Sequence, residues 1–168
     1  FIISNSPWEV GDKNGKVLIS GNKDNFGGGL VIKKTKQISK FYNTDFKYLS
    51  GVENRFLSNE KSEKMSLVLT KYFETKKNKY TYSEIASHDH NYEFSDKFSY
   101  TGAVNFYEAN AQFQNCKFMR IDSEDALNII SSKFLIEESF FEENSSDSID
   151  VDFGEGIIKN SKFAFVGN

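Results

Sequence analysis

The sequence predicts an all-β solenoid, a parallel sheet wound into coils of 22 to 23 residues with one long, hairpin-containing excursion. Three observations predict it. A fifteen-residue segment recurs three times toward the C-terminal end, its starts 23 and 22 positions apart. Within each copy apolar and polar residues alternate with a period of two, which suits short strands with one buried face and gives no helical spacing. Seventeen Phe and eight Tyr against a single Pro, among many Asn, Ser and Gly, describe an aromatic interior joined by tight turns.

From the N-terminus, "KVLISG" reads as a strand, and "NFGGGLVI" uses its Gly run for a tight turn into the next. "FYNTDF" (Phe41–Phe46) matches "FQNCKF" (Phe113–Phe118) in both Phe and in Asn. Upstream of it, Ile32 falls where Val104 stands and Lys34 where Phe106 stands, so this coil reads as degraded. Residues 1–51 are thus the first coils. Asn105 follows Phe46 by 59 positions, against ten and nine for its counterparts Asn128 and Asp150, which makes 52–100 an insertion. Its middle, "MSLVLTKYFETKKNKYTYSEI", reads as a hairpin turning at Lys76–Lys79, although "NEKSEKMSLVLTKYF" also fits a short helix.

Residues 101–168 carry the regular coils: "VNFYEANAQFQNCKF" (Val104–Phe118), "LNIISSKFLIEESFF" (Leu127–Phe141) and "IDVDFGEGIIKNSKF" (Ile149–Phe163). Four columns stay apolar: Val104, Leu127 and Ile149; Phe106, Ile129 and Val151; Phe113, Ile136 and Ile158; Phe118, Phe141 and Phe163. Strands stacked about 4.8 Å apart would place each column as a line of touching side chains. A leucine-rich repeat shares the period but needs a Leu-x-x-Leu-x-Leu register that is missing. The chain opens on Phe1 and stops at "FVGN" just after a coil's last Phe, so the expectation is a piece of a longer protein, truncated at its C-terminal end.

These repeats resemble the right-handed parallel β-helix of the pectate-lyase-like superfamily, most strongly over residues 100–168. "SEDALNIISSKF" and "SDSIDVDFGEGIIKNSKF" are also similar to β-helix segments of bacterial surface proteins, some of which carry spore-coat-protein-H-like kinase domains. This chain has no Gly-rich phosphate loop, and no kinase role is carried over.

An acidic column is the main candidate site. Gly102, Asp125 and Asp147 share one repeat position; Asn105, Asn128 and Asp150 share the position three further on; Asp152 lies two beyond Asp150. Carboxylates stacked about 5 Å apart repel, which raises their pKa values or recruits a cation such as calcium, making Asp125, Asp147, Asp150 and Asp152 candidate ligands. The alternative is a solvent-facing ladder of strand-ending Asp and Asn bonded to turn amides. The resemblance implies an enzymatic option as well, because polysaccharide lyases of that superfamily pair calcium-binding acids with a proton-abstracting base. Here Arg120 and Lys117 are the available bases. An Asn-Thr-Asp triplet of polygalacturonase type occurs at Asn43–Asp45, but the paired acids and the Gly-His-Gly and Arg-Ile-Lys motifs of those hydrolases are missing.

Tyr72, Tyr80, Tyr82 and Tyr92 in the insertion suit stacking on sugar rings or a protein interface, and equally suit covering the coil. His88 and His90 flank Asp89 in "SHDHN", a weak transition-metal pattern that solvated loop residues explain as well. Cys116 shares a column with Ser139 and Ser161 and reads as a small buried or turn residue. A net charge of −3 gives no broad footprint for nucleic acid or an anionic membrane, and no apolar run is long enough to span one. The sequence therefore points to a non-catalytic scaffold or glycan-binding segment of a larger secreted or cell-surface bacterial protein, with polysaccharide or surface protein as partner. The rival expectation is a calcium-dependent lyase or epimerase acting on acidic polysaccharide.

Overall fold

The computed structural model describes residues 2–51 and 100–166, and these form a parallel β-helix. Five coils each give one strand to each of three sheets. The first coil holds β1 (Ile2–Ser4), β2 (Glu9–Val10) and β3 (Val17–Ser20); the second holds β4 (Leu30–Lys33), β5 (Ser39–Tyr42) and β6 (Thr44–Lys47). The third holds β7 (Gly102–Tyr107), β8 (Ala111–Gln114) and β9 (Lys117–Met119), and the fourth β10 (Asp125–Ile130), β11 (Lys133–Glu137) and β12 (Phe140–Glu142). The fifth holds β13 (Asp147–Asp152), β14 (Glu155–Lys159) and β15 (Lys162–Ala164). The first sheet runs β1-β4-β7-β10-β13, the second β2-β5-β8-β11-β14 and the third β3-β6-β9-β12-β15. Every pairing between these strands is parallel.

The register is the one the repeat requires. Val104, Leu127 and Ile149 are Cα partners, as are Phe106, Ile129 and Val151. Phe113, Ile136 and Ile158 form the third column, and Phe118, Phe141 and Phe163 the fourth. Because neighbouring coils repeat side-chain positions, like stacks on like. The rings of Phe46 and Phe118 are 4.6 Å apart, those of Phe118 and Phe141 4.7 Å, and those of Phe141 and Phe163 4.9 Å, all nearly parallel. Phe41 and Phe113 make a second stack at 5.1 Å, and Phe106 meets both edge-on. Each fully buried ring contributes about 1.5–3 kcal/mol of hydrophobic stabilisation.

The second coil is intact, contrary to the expectation of degradation. Leu30 pairs with Val104 and Ile32 with Phe106, both buried, while Lys34 is exposed in the turn. The cause is turn length. Five residues separate β4 from β5, where three separate β7 from β8, so counting back from Phe41 misplaces the upstream strand by two. The extra turn is braced by the Thr35 hydroxyl, which donates to the Gln37 carbonyl at 3.0 Å.

From the second coil to the fifth, each corner is made by a residue in the left-handed region. Lys34, Glu108, Ser131 and Phe153 turn the first sheet into the second; Asn43, Asn115, Glu138 and Asn160 turn the second into the third; Tyr48, Arg120, Glu143 and Phe165 turn the third back toward the first, all with φ of 47–54°. Backbone amides at these corners bond to carbonyls of the adjacent coil, as in Glu108 to Ile130 at 3.0 Å and Asn115 to Glu137 at 3.0 Å. Pairing between coils therefore continues around the bends and satisfies amides that would otherwise be stranded there. The Gly run at 27–29 serves close approach: a Cβ on Gly29 would lie 2.3 Å from the Ala103 carbonyl oxygen.

The predicted hairpin and its turn at Lys76–Lys79 lie outside the described residues.

Candidate functional site

The outer face of the first sheet carries the acidic column. Leu127 and Ile129 enter the core, so Asn128 between them lies on the opposite face, and Asn105 and Asp150 are its Cα partners on either side. Ala126 and Leu127 both pack into the core, which returns Asp125 to the outer face with Asn128. Asp147 pairs directly with Asp125, and Asp152 lies beside Ile130. The four candidate acids thus share one face of two neighbouring strands, as their spacing implies.

Their environments differ. Asp125 is buried at 3% exposure, and its Oδ2 accepts hydrogen bonds from the Thr101 hydroxyl, at 2.5 Å, and from the Asn128 amide, at 3.1 Å. Asn128 also donates to the Thr101 hydroxyl oxygen at 2.6 Å. One coil earlier the same device recurs with a backbone amide: Gly102 N–H donates to Asn105 Oδ1 at 3.0 Å, and Asn105 donates to the carbonyls of Gly102 and Leu30. Gly102 is required where the acids stand in later coils, since a Cβ there would lie 2.8 Å from the Asn128 Cβ. Asn128 Oδ1, by contrast, is buried and has no hydrogen-bond donor among the described residues.

Asp150 follows next in that ladder and is half-buried, whereas Asp147 and Asp152 are exposed. Partial burial, then the charges of Asp125 and Asp152 and the smaller effect of Asp147, hold the Asp150 carboxyl above the usual carboxylate range. The repulsion expected of stacked acids falls on Asp150. Among the described residues, however, no group of three or more His, Cys, Asp or Glu side chains is placed to hold a metal ion. The Asp125 Oδ2 is already engaged by Thr101 and Asn128 within the ladder.

The candidate bases stand apart from this column. Arg120 occupies a corner, where its Nε ion-pairs with Glu143 and its Nη1 donates to the Tyr48 hydroxyl at 3.4 Å. The hydrogen bond to Glu143, then that to Tyr48, raise its proton affinity, the opposite of what a base needs. Lys117 lies on the third sheet next to Asp45 and lines a hollow with Lys13, Lys16 and Asn43. Neither base makes a hydrogen bond or ion pair with Asp125, Asp147, Asp150 or Asp152.

Asn43–Asp45 is likewise structural. Asn43 is a corner residue, Thr44 is buried with its hydroxyl donating to the Tyr42 carbonyl at 2.9 Å, and Asp45 is ion-paired to Lys16 at 3.0 Å and to Lys47 at 3.7 Å. Cys116 follows Thr44 in the same column and imitates it, its thiol reaching the Gln114 and Phe41 carbonyls, while its amide donates to the Ser139 hydroxyl. Burial pushes that thiol up to about 11, which leaves it protonated and unreactive at neutral pH. Tyr72, Tyr80, Tyr82, Tyr92, His88 and His90 lie outside the described residues. The sequence reading missed Thr101, which binds both Asp125 and Asn128, because its repeat position is filled by the unlike Glu124 and Ser146 in the later coils.

Comparison with protein-family models, curated proteins and solved structures finds no match.

Proposed function

We propose that the chain is a non-catalytic β-helix segment of a larger secreted or cell-surface bacterial protein, a scaffold that binds glycans. The observation that carries this reading is the separation of bases from acids: Arg120 is consumed by Glu143 and Tyr48, and Lys117 stands on another sheet from the acidic column. A lyase would need the two brought to one sugar, the acids with their cation at its carboxylate and the base within reach of the proton on the adjacent carbon. The resemblance to the pectate-lyase-like superfamily supports architecture and a polymeric partner, and function rests on the site rather than on that likeness.

The test is to expose one sample both to uronate-containing polymers, assayed for unsaturated product, and to a panel of neutral and acidic glycans, assayed for binding. Binding without product is the expected result. Unsaturated product that chelator abolishes would replace this reading by the calcium-dependent lyase, and solvent-hydrogen exchange at the uronate carbon without unsaturation by the epimerase, the readings that the crowding of Asp150 by Asp125, Asp147 and Asp152 favours.

A further inference from the structure

We propose that the corner between the second and third sheets is a binding site for an acidic oligosaccharide. The proposal rests on the glycan-binding reading and gives it a place and a ligand class. Two adjoining hollows, of about 270 and 310 Å³, share Lys13, Asn43 and Asn115. Lys16, Asp45 and Lys117 also line the first. Tyr42, Gln114 and Glu138 complete the second.

The rim is preorganised. Asp12 Oδ1 accepts from the backbone amides of Asn14 and Gly15, both at 2.7 Å, closing a tight turn, and Asn43 Nδ2 donates to the Asp12 carbonyl at 2.5 Å. Val17 then donates its amide to the Asn43 carbonyl at 3.0 Å. The segment that carries Lys13 and Lys16 is therefore tied down on both sides onto the corner asparagine, so less ordering is left for a ligand to impose.

Charge selects the ligand. Asp45 is buried at 4% exposure and already matched by Lys16 and Lys47. Lys13 and Lys117 have no ion-pair partner among the described residues. The hollow is thus locally positive on a chain of net charge −3. Between the lysines the floor is amide: Asn115 donates to Asn43 Oδ1 at 2.5 Å and keeps its own Oδ1 for a ligand hydroxyl, with Gln114 beside it. Glu138 on the far rim disfavours a second anion there. Lysine for a carboxylate or sulfate, amides for hydroxyls and one Tyr edge for a ring together match a sugar acid with a neutral neighbour. A nucleic acid fits less well, since the hollow has no arginine fork for phosphate and no succession of aromatic platforms for bases.

The experiment titrates the full chain with a glucuronate oligomer in which each glucuronate alternates with a neutral sugar, a neutral glucose oligomer and a single-stranded oligonucleotide, by calorimetry and at two salt concentrations. The expected result is salt-weakened binding of the glucuronate oligomer alone, reduced about tenfold or more by Lys13→Gln with Lys117→Gln. Lys162→Gln, outside the hollow, should leave binding unchanged, and melting curves would verify that all variants are folded. Binding of the acidic oligomer that the double variant leaves intact would overturn this site while the glycan-binding reading stands. Preference for the oligonucleotide or the neutral oligomer would overturn the ligand class. Failure to bind any glycan would overturn both the site and the reading beneath it.

Discussion

At Asn128 the amide nitrogen donates to both Thr101 and Asp125, while the buried oxygen lacks a donor among the described residues. The ladder neighbour that can supply one is Asp150, but only when protonated. Its raised carboxyl sets the sign: a carboxyl with a folded pKa above its unfolded value contributes stability that is fully present below the ordinary carboxylate range and is lost as pH rises through the raised value. The charged groups facing it among the described residues, Asp125, Asp147 and Asp152, all act in that direction. Asp150→Asn should therefore stabilise the fold at neutral pH by about 1 kcal/mol, through the hydrogen bond a new amide gives. It should also flatten the rise in melting temperature expected of the unsubstituted chain on mild acidification, and thermal melts across pH check both. In the core, Phe141→Ala removes a ring stacked on both sides and fully buried, with an expected loss of about 3–5 kcal/mol in denaturant titration. Phe165→Ala, at an exposed corner, should change stability by less than about 0.5 kcal/mol. The Phe column and the Asn-to-Asp ladder are readable in the sequence because a period of two exposes them. The bonding that distinguishes Asp125 from Asp150 is not, since it depends on Thr101 and on burial.

The strands owe their positions to the turns between them, and turn length is the variable that repeat alignment handles worst. The three regular coils keep one spacing from Val104, Leu127 and Ile149 to Phe118, Phe141 and Phe163, so their strands can be placed from the alignment; the second coil's longer turn shifts β4 by two. The corner residues are only partly readable. Asn43, Asn115 and Asn160 signal a left-handed bend, because Asn tolerates that conformation. Glu108, Ser131 and Arg120 adopt the same φ without any such signal, held there by the amide bonds between coils. Each carries a steric penalty of roughly 1–2 kcal/mol that glycine would avoid, at some cost in unfolded-state entropy. Ser131→Gly, at an exposed corner that lines neither hollow, should raise stability by a few tenths to about 1 kcal/mol in chemical denaturation. A loss instead would mean that the coil pairing sets this φ without strain.

For the molecule as a whole, each coil touches chiefly its neighbours, so stability grows with the number of stacked coils and is weakest at the ends. The last described coil shows this: β14 is exposed along its length, and Ile157, Phe163 and Phe165 present apolar surface. Unpaired parallel edges with apolar side chains template association with another chain. Light scattering should detect self-association that increases with concentration and is suppressed by Ile157→Lys, which places a charge on that edge. A scattering signal that ignores both concentration and the substitution would show the edge to be shielded. Architecture is legible because the fold repeats itself. The charged corner of Lys13, Asn43 and Lys117 is not, since it joins residues from three coils that no single repeat contains.

The parallel register also governs how such a chain can change over generations. Leu127 and Ile149 occupy equivalent places 22 positions apart, so loss or duplication of that whole stretch joins like to like and leaves every column continuous. Removal of one codon within β10 would instead invert the faces of the residues beyond it, sending Asn128 inward and Ile129 outward. Heritable length variation in this protein is thereby quantised, tolerated a full turn at a time and punished in between, whatever the ligand on its surface.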